Sequence, residues 1–264
     1  MIDNPRSPRV RAVAKLAKRA ARAETGLFLV EGPQSVAEAL AFRAELVVDL
    51  YVTAAGRDRY ADLVQTAIAN GLEVETVSEA VLETMADTVT PQGILATSRQ
   101  FAISLGDLLA SKPRLVAILE EVRDPGNAGT IIRAADAAGA DGVIFTGNSV
   151  DAYNPKVVRS TTGSIFHVPV AQNVTLDEAL AAVRAAGLQV LAADVKGADL
   201  PKVRANLTAP TAWVFGNEAH GLPDEQLRLA DRVVKVPIYG NAESLNLATA
   251  ASVCLYESAF AQRS

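Results

Sequence analysis

The sequence is poor in the residues that build disulfides and metal centres. It has one cysteine, Cys254, and two histidines, His167 and His220, among 264 residues. A lone cysteine excludes an internal disulfide and suits a reducing cytosol. So few nitrogen and sulfur ligands argue against a zinc site. Aromatics make up only 5% of the chain, so the apolar half of the composition must pack as aliphatic Ala, Val and Leu. No apolar run approaches the roughly 18 residues needed to cross a bilayer, and the charged N-terminus lacks the apolar core of a secretory leader. These absences point to a cytoplasmic chain of one or two domains with ample core.

A surplus of positive charge is missing too: 25 Lys and Arg face 30 Asp and Glu, a net charge of −5. That sum speaks mildly against nucleic acid, but the distribution matters more. Residues 1–22 hold Arg6, Arg9, Arg11, Lys15, Lys18, Arg19 and Arg22 against Asp3 alone. Steps of three and four residues from Arg11 through Lys15, Lys18 and Arg22 predict one cationic helical face, a candidate RNA contact. The blander alternative is a solvated amphipathic helix whose other side is Val10, Val13, Leu16 and Ala20.

Strand-like runs alternate with helical ones along the whole chain. Predicted strands at 26–30, 46–53, 71–77 and 94–99 and helices at 34–43, 57–69 and 78–87 make a first α/β layer. A break follows at 104–113, around Lys112-Pro113. Strands are then predicted at 115–122, 142–145, 166–170, 189–193, 211–215 and 232–238. Helices are predicted at 127–138, 154–163, 175–186, 222–230 and 244–262. Such alternation implies a mostly parallel sheet, whose ligands sit at the carboxyl ends of its strands.

At those ends stand three polar loops. The first, Asp124-Pro-Gly-Asn127-Ala-Gly129 to Arg133, runs from strand into helix and can face an anion with free backbone N–H groups. It lacks the glycine spacing of a dinucleotide fingerprint and the lysine of a Walker loop. Asn127 and Arg133 are six residues apart, about 600° of helical rotation, so they do not share one helical face. Taken alone, Asn127 reads equally as an N-cap and Arg133 as a surface residue. The second loop, Gly216-Asn217-Glu218-Ala-His220-Gly221, presents a carboxamide, a carboxylate and an imidazole after an apolar strand. Glu218 is its stronger functional candidate, with a helix cap as the alternative. The third, Val236-Pro-Ile238-Tyr-Gly240 to Ser244-Leu245-Asn246, opens an Ala-rich helix that Ser244 alone could cap. Cys254 falls on the apolar run of that helix and reads as core.

In order and spacing these loops resemble the three motifs of the SpoU (TrmH) family of SPOUT RNA 2′-O-ribose methyltransferases, over residues 115–262. Residues 22–50, with Gly26-Leu-Phe-Leu-Val-Glu-Gly-Pro33, resemble that family's L30e-like domain. The resemblance implies two domains: an L30e-like RNA substrate-binding domain at 1–108 and a knotted SpoU methyltransferase domain at 113–264. It implies an α/β fold with a deep trefoil knot, S-adenosyl-L-methionine as cofactor, RNA as substrate and a homodimer. On matching positions the catalytic residues would be Asn127, Arg133, Glu218, Ser244 and Asn246. Backbone around Gly216, Val236, Ile238 and Leu245 would hold the cofactor. Arg11, Lys15, Lys18 and Arg22 remain the candidate RNA contacts, and no metal is implied. The separate front domain favours ribosomal RNA over tRNA. A noncatalytic RNA-binding protein and an NAD- or nucleotide-dependent enzyme are the rival readings, separated by whether S-adenosylmethionine, NAD or ATP binds.

Overall fold

The computed structural model describes residues 1–263, and these divide into two compact units: 1–101 with 153–167, and 102–152 with 168–263. The first unit runs α1 (Pro8–Lys15), α2 (Arg19–Thr25), β1 (Leu27–Glu31), α3 (Pro33–Phe42), β2 (Val47–Thr53), α4 (Ala54–Arg59), α5 (Ala61–Ala69), β3 (Val74–Val77), α6 (Glu79–Met85) and β4 (Ile94–Arg99). Its sheet has the order β1-β4-β2-β3, with β4 antiparallel to both neighbours and β2 parallel to β3. Both faces of β1, β2 and β4 are largely covered, so those strands are mostly apolar, while β3 at the sheet edge is only partly buried. Phe28, Val30, Leu50, Ile94 and Ala96 pack into one core cluster, while Leu29, Tyr51 and Leu95 face a second with α1 and α6.

The second unit opens with α7 (Leu105–Ala110), β5 (Leu115–Glu120), α8 (Pro125–Ala138) and β6 (Gly142–Thr146). The chain then gives α9 (Pro155–Thr161) to the first unit, where Tyr153, Val158, Ile165 and Phe166 join the cluster around Phe28. Back in the second unit come β7 (Val170–Val174), α10 (Leu176–Ala185), β8 (Gln189–Asp199), α11 (Leu200–Val203), β9 (Thr211–Phe215), α12 (Asp224–Leu227), β10 (Arg232–Lys235) and α13 (Leu247–Arg263). All six strands are parallel, in the order β10-β8-β9-β5-β6-β7. The chain leaves β5 toward β6 and leaves β9 toward β10, in opposite directions. A topological switch point therefore lies between β5 and β9, where the carboxyl ends open a crevice. Under β9 the Trp213 indole donates to the Ser258 hydroxyl of α13 at 2.8 Å, wholly buried. Cys254 is buried on the same helix, and desolvation pushes its thiol up to about 12, so it is core and no nucleophile.

Several expectations need correction. The single basic helix is two, broken at Leu16–Lys18, and this removes Arg22 from the cationic face. Arg22 is only 2% exposed, and its Nη1 donates to the Leu16 and Ala17 carbonyls at 2.9 Å each. It satisfies carbonyls of the break that follows α1, whereas Arg11, Lys15 and Lys18 are exposed. The segment expected as one helix at 57–69 breaks at Tyr60. Phe166 closes a short 3-10 turn, and the strand expected at 166–170 starts only at Val170. The break at 104–113 contains α7, capped by Ser104, whose hydroxyl accepts the Asp107 N–H at 3.0 Å.

Candidate active site

The switch-point crevice is built from the three polar loops, and hydrogen bonds join them in one directed chain. Asn246 caps α13: its Oδ1 accepts the Ala248 and Thr249 N–H groups at 2.9 and 3.2 Å. With the oxygen so engaged, Nδ2 faces away from the helix and donates to Asn127 Oδ1 at 2.9 Å. Asn127 must then present its own Nδ2 to a second acceptor, and Glu218 Oε1 stands 3.4 Å away. The Glu218 carboxylate also accepts the Arg123 and Asp124 N–H groups, at 3.2 and 3.1 Å. Each amide orientation follows from its neighbour, starting from a helix N-terminus that can only donate.

Local sequence explains why these side chains arrive there. Asp124, not Asn127, is the N-cap of α8, and its Oδ1 accepts the Asn127 N–H at 2.8 Å. Pro125 occupies the first helical position, where its missing N–H costs nothing. Asn127 thus sits in the first turn with its amide free to turn toward the second loop. Arg133 projects two turns later from an exposed position. Ser244 does not cap α13, because Asn246 does; Ser244 lines the cavity described next.

The 217–221 loop closes on itself. Asn217 O accepts the Gly221 N–H at 2.8 Å, and Asn217 Nδ2 donates to Glu121 O at 2.9 Å. Gly216 permits the closure, since a Cβ there would stand 2.7 Å from the Gly221 carbonyl carbon and from Leu222 Cγ. Its neighbours Phe215 and Asn217 line the cavity described next, and Gly216 shapes the wall between them. Gly216→Ala should therefore open the loop and cost about 5- to 150-fold in affinity for the cavity's ligand, if the overpacking penalty of about 1–3 kcal/mol falls on the bound loop. Calorimetric titration of the purified variant with S-adenosylmethionine measures this, and unchanged affinity contradicts it.

That cavity, about 370 Å³, lies between the 217–221 loop and the 236–246 loop. Val236, Ile238 and Leu245 line it, joined by Phe215, Leu247 and Ala250. The sequence reading missed Ala193, Asp194, Val195 and Lys196. They stand in an irregularity of the β8–β10 pairing, where Val233 pairs with Ala192 but Val234 with Ala198. Gly197 lets the strands touch beyond it, for a Cβ there would meet Val234 N at 2.4 Å. The cavity thus has an apolar part, with Asp194, Lys196, Asn217, Glu218, His220 and Ser244 as its charged and polar members. Among the described residues no group of three His, Cys, Asp or Glu is placed to hold a metal ion.

A family model described as the SpoU rRNA Methylase family matches residues 114–256, and one described as an MRM3-like substrate binding domain matches 7–96. The chain belongs to the SpoU family. It is 32% identical to the 23S rRNA (guanosine(2553)-2′-O)-methyltransferase RlmP of Bacillus subtilis, over 97% of each chain. It is likewise 32% identical to the 23S rRNA (uridine(2479)-2′-O)-methyltransferase of Streptomyces viridochromogenes, over 92% of this chain and 86% of that one. Among solved structures, an AdoMet-bound rRNA methyltransferase from Sinorhizobium meliloti superimposes with a TM-score of 0.84 at 32% identity, over 100% of this chain and 98% of that one. The Streptomyces viridochromogenes SpoU methyltransferase AviRb in complex with AdoMet gives 0.81 at 31% identity, over 96% and 98%. The SpoU match carries all three loops and the cavity; the other lies within the first unit.

Proposed function

We propose that this protein transfers a methyl group from S-adenosylmethionine to a ribose 2′-hydroxyl of RNA, with ribosomal RNA of the 23S type as the substrate class. The observation that carries the reading is the Asn246–Asn127–Glu218 chain, which fastens three separate loops beside a cavity of small-molecule size. A volume of about 370 Å³ falls within the usual range of ligand sites, about 300–1,000 Å³. The residues present suit the cofactor. Val236, Ile238, Leu245 and Leu247 offer apolar surface, and the Asp194 and Glu218 carboxylates suit a ligand bearing an ammonium and a sulfonium. When bound, that cofactor supplies an electrophilic methyl group. In the family reading, the loops that wall the cavity are also the ones threaded into a deep trefoil knot.

The chain's own residues then have three tasks. They must align the 2′-oxygen with the methyl group, exclude water and handle the hydroxyl proton. A guanidinium is hard to deprotonate, so Arg133 serves best as a bidentate clamp on the adjacent phosphate, stabilising developing alkoxide character. The phosphate or a water accepts the proton. Asn127 and Glu218 hold the ribose side of the site in register, and Ser244 and Asn246 set the third loop. A second copy of the chain completes the arrangement as a homodimer; the exposed Tyr256–Phe260 pair on α13, ring centroids 5.6 Å apart, supports this. No described helix is long and apolar enough to cross a membrane, and the protein acts on its RNA in the cytoplasm.

Incubation with methyl-labelled cofactor and unmodified rRNA, followed by digestion to nucleosides, tests the proposal. Label must appear in a 2′-O-methylnucleoside; label on a base, or none, refutes it.

Arg11, Lys15 and Lys18 contribute salt-dependent phosphate contacts that carry no sequence information. Neutralising the three together should reduce the slope of log affinity against log salt by about two to three. Arg22→Ala should leave that slope unchanged and instead lower stability by about 1–3 kcal/mol, because buried carbonyls lose their donor. An unchanged slope in the triple variant, or a flattened one in Arg22→Ala, contradicts the assignment.

A further inference from the structure

Two carboxylates line the cavity between the 217–221 and 236–246 loops, and their oxygens are not equally committed. Glu218 uses both oxygens to fasten loops: Oε2 accepts the Arg123 N–H, while Oε1 accepts the Asp124 N–H and faces Asn127 Nδ2. Asp194 differs. Its Oδ1 accepts the Lys196 N–H at 2.9 Å, which fixes the carboxylate against its own backbone. Its Oδ2 makes no hydrogen bond among the described residues. The Lys196 ammonium, two residues on, is held by Asp224 instead, Nζ to Oδ1 at 2.6 Å. Asp194 is partly buried, so water compensates its charge less well than at an open surface. A cation that can donate a hydrogen bond is the partner it lacks. The facing loop keeps the oxygen open. Gly221 has φ 63°, in the left-handed region that glycine adopts without strain. A Cβ there would stand 3.2 Å from Asp194 Oδ2, so a side chain at 221 would crowd that oxygen.

We propose that Asp194 binds the α-ammonium group at the methionyl end of the cofactor, with Oδ2 as the acceptor. This assignment rests on the methyl-transfer reading above and names the residue that fixes one end of its cofactor. Three groups of S-adenosylmethionine could meet a carboxylate: the ammonium, the sulfonium and the ribose hydroxyls. The sulfonium carries charge but no hydrogen to donate, so it cannot complete an oxygen that lacks a donor. The ribose hydroxyls donate, but they bring no charge to a carboxylate whose neighbouring cation is already taken. The ammonium supplies both, with a positive charge and three N–H donors. A charge-assisted hydrogen bond of this kind is roughly twice as strong as a neutral one. Phe215, Val236, Ile238 and Leu247 then leave apolar wall for the adenosine end.

The test is calorimetric titration of the full-length protein and of Asp194→Asn with S-adenosylmethionine, S-adenosylhomocysteine and 5′-methylthioadenosine. The first two carry the ammonium, the first alone carries the sulfonium, and all three carry the ribose. Asparagine keeps an acceptor for the Lys196 N–H and removes the charge. Asp194→Asn should weaken both S-adenosyl compounds by about 5- to 20-fold, the loss of one charge-assisted hydrogen bond at a partly exposed site. Methylthioadenosine should stay within about twofold of its wild-type affinity, which also certifies that the variant is folded. Asp194→Ala, which gives up the bond to Lys196 as well, should discriminate among the three ligands in the same way. Equal weakening of all three would place Asp194 on the ribose or in the architecture of the wall. Loss confined to S-adenosylmethionine would place it at the sulfonium, and no loss for any ligand would remove it from the site. Each of these results overturns the proposal. Failure of the wild-type protein to bind S-adenosylmethionine would instead remove the function proposed above, and so the two failures are distinguishable.

Discussion

Arg133→Ala is expected to lower single-turnover methyl transfer by about 10²–10³-fold, the effect of removing one preorganised donor from developing negative charge. Affinity for S-adenosylmethionine should stay within about twofold, because Arg133 is exposed on α8 and does not line the cavity proposed for the cofactor. The separation of the two readouts is what assigns Arg133 to the substrate. Arg133→Lys should recover only part of the rate, since an ammonium cannot reproduce the bidentate fork of a guanidinium on phosphate. Turnover like wild type in Arg133→Ala would remove the residue from the mechanism. A parallel loss of cofactor affinity would make it a binding-site residue instead.

Glu218→Ala should produce the second large effect by a different route. The carboxylate accepts two backbone N–H groups and the Asn127 amide, so its removal strands three donors and unfastens the first loop from the second. A loss of about 10²-fold in kcat/KM is expected, as for misplacement of a reacting group by roughly 1 Å. Global stability should fall by only about 1–2 kcal/mol, because Glu218 is exposed and the stranded donors can find water. Glu218→Gln keeps one acceptor but sets an amino group against the other donors, so it should fall between wild type and Ala. Asn127→Ala combined with Glu218→Ala should cost less than the product of the single losses, since both break one chain. Strict additivity would show that the two residues act independently.

Much of the second unit was legible because its strands are buried on both faces. β5, β6 and β9 are buried throughout, so their apolar runs announce a covered parallel sheet. The polar loops at their ends were legible for the same reason: a carboxylate or amide directly after such a run has no structural need to be there. What the sequence hid depends on pairing rather than on residue type. Asp194 and Lys196 enter the cavity only because β8 skips register against β10, and nothing in the local sequence shows that slip. Phe166 was read as a strand by its β-propensity, yet it anchors a 3-10 turn against Phe28 and Phe101, with ring centroids 6.2 and 5.7 Å apart. Arg22 kept helical spacing with Lys15 and Lys18, but spacing cannot reveal a chain break at Leu16 that turns the same side chain inward. Gly216 was singled out as backbone near the cofactor; its lack of a side chain has a further reason that spacing does not show, the close approach of the Gly221 backbone.

The central claim is that loops after β5, β9 and β10 act together on a ribose hydroxyl. Its most direct measurement is a map of 2′-O-methylation across 23S rRNA, read as resistance of each phosphodiester to alkali. The map would compare cells with the gene, without it, and with the gene carrying Arg133→Ala. The account predicts a nucleotide that resists alkali only when the intact gene is present. Identical maps from the three strains would contradict it.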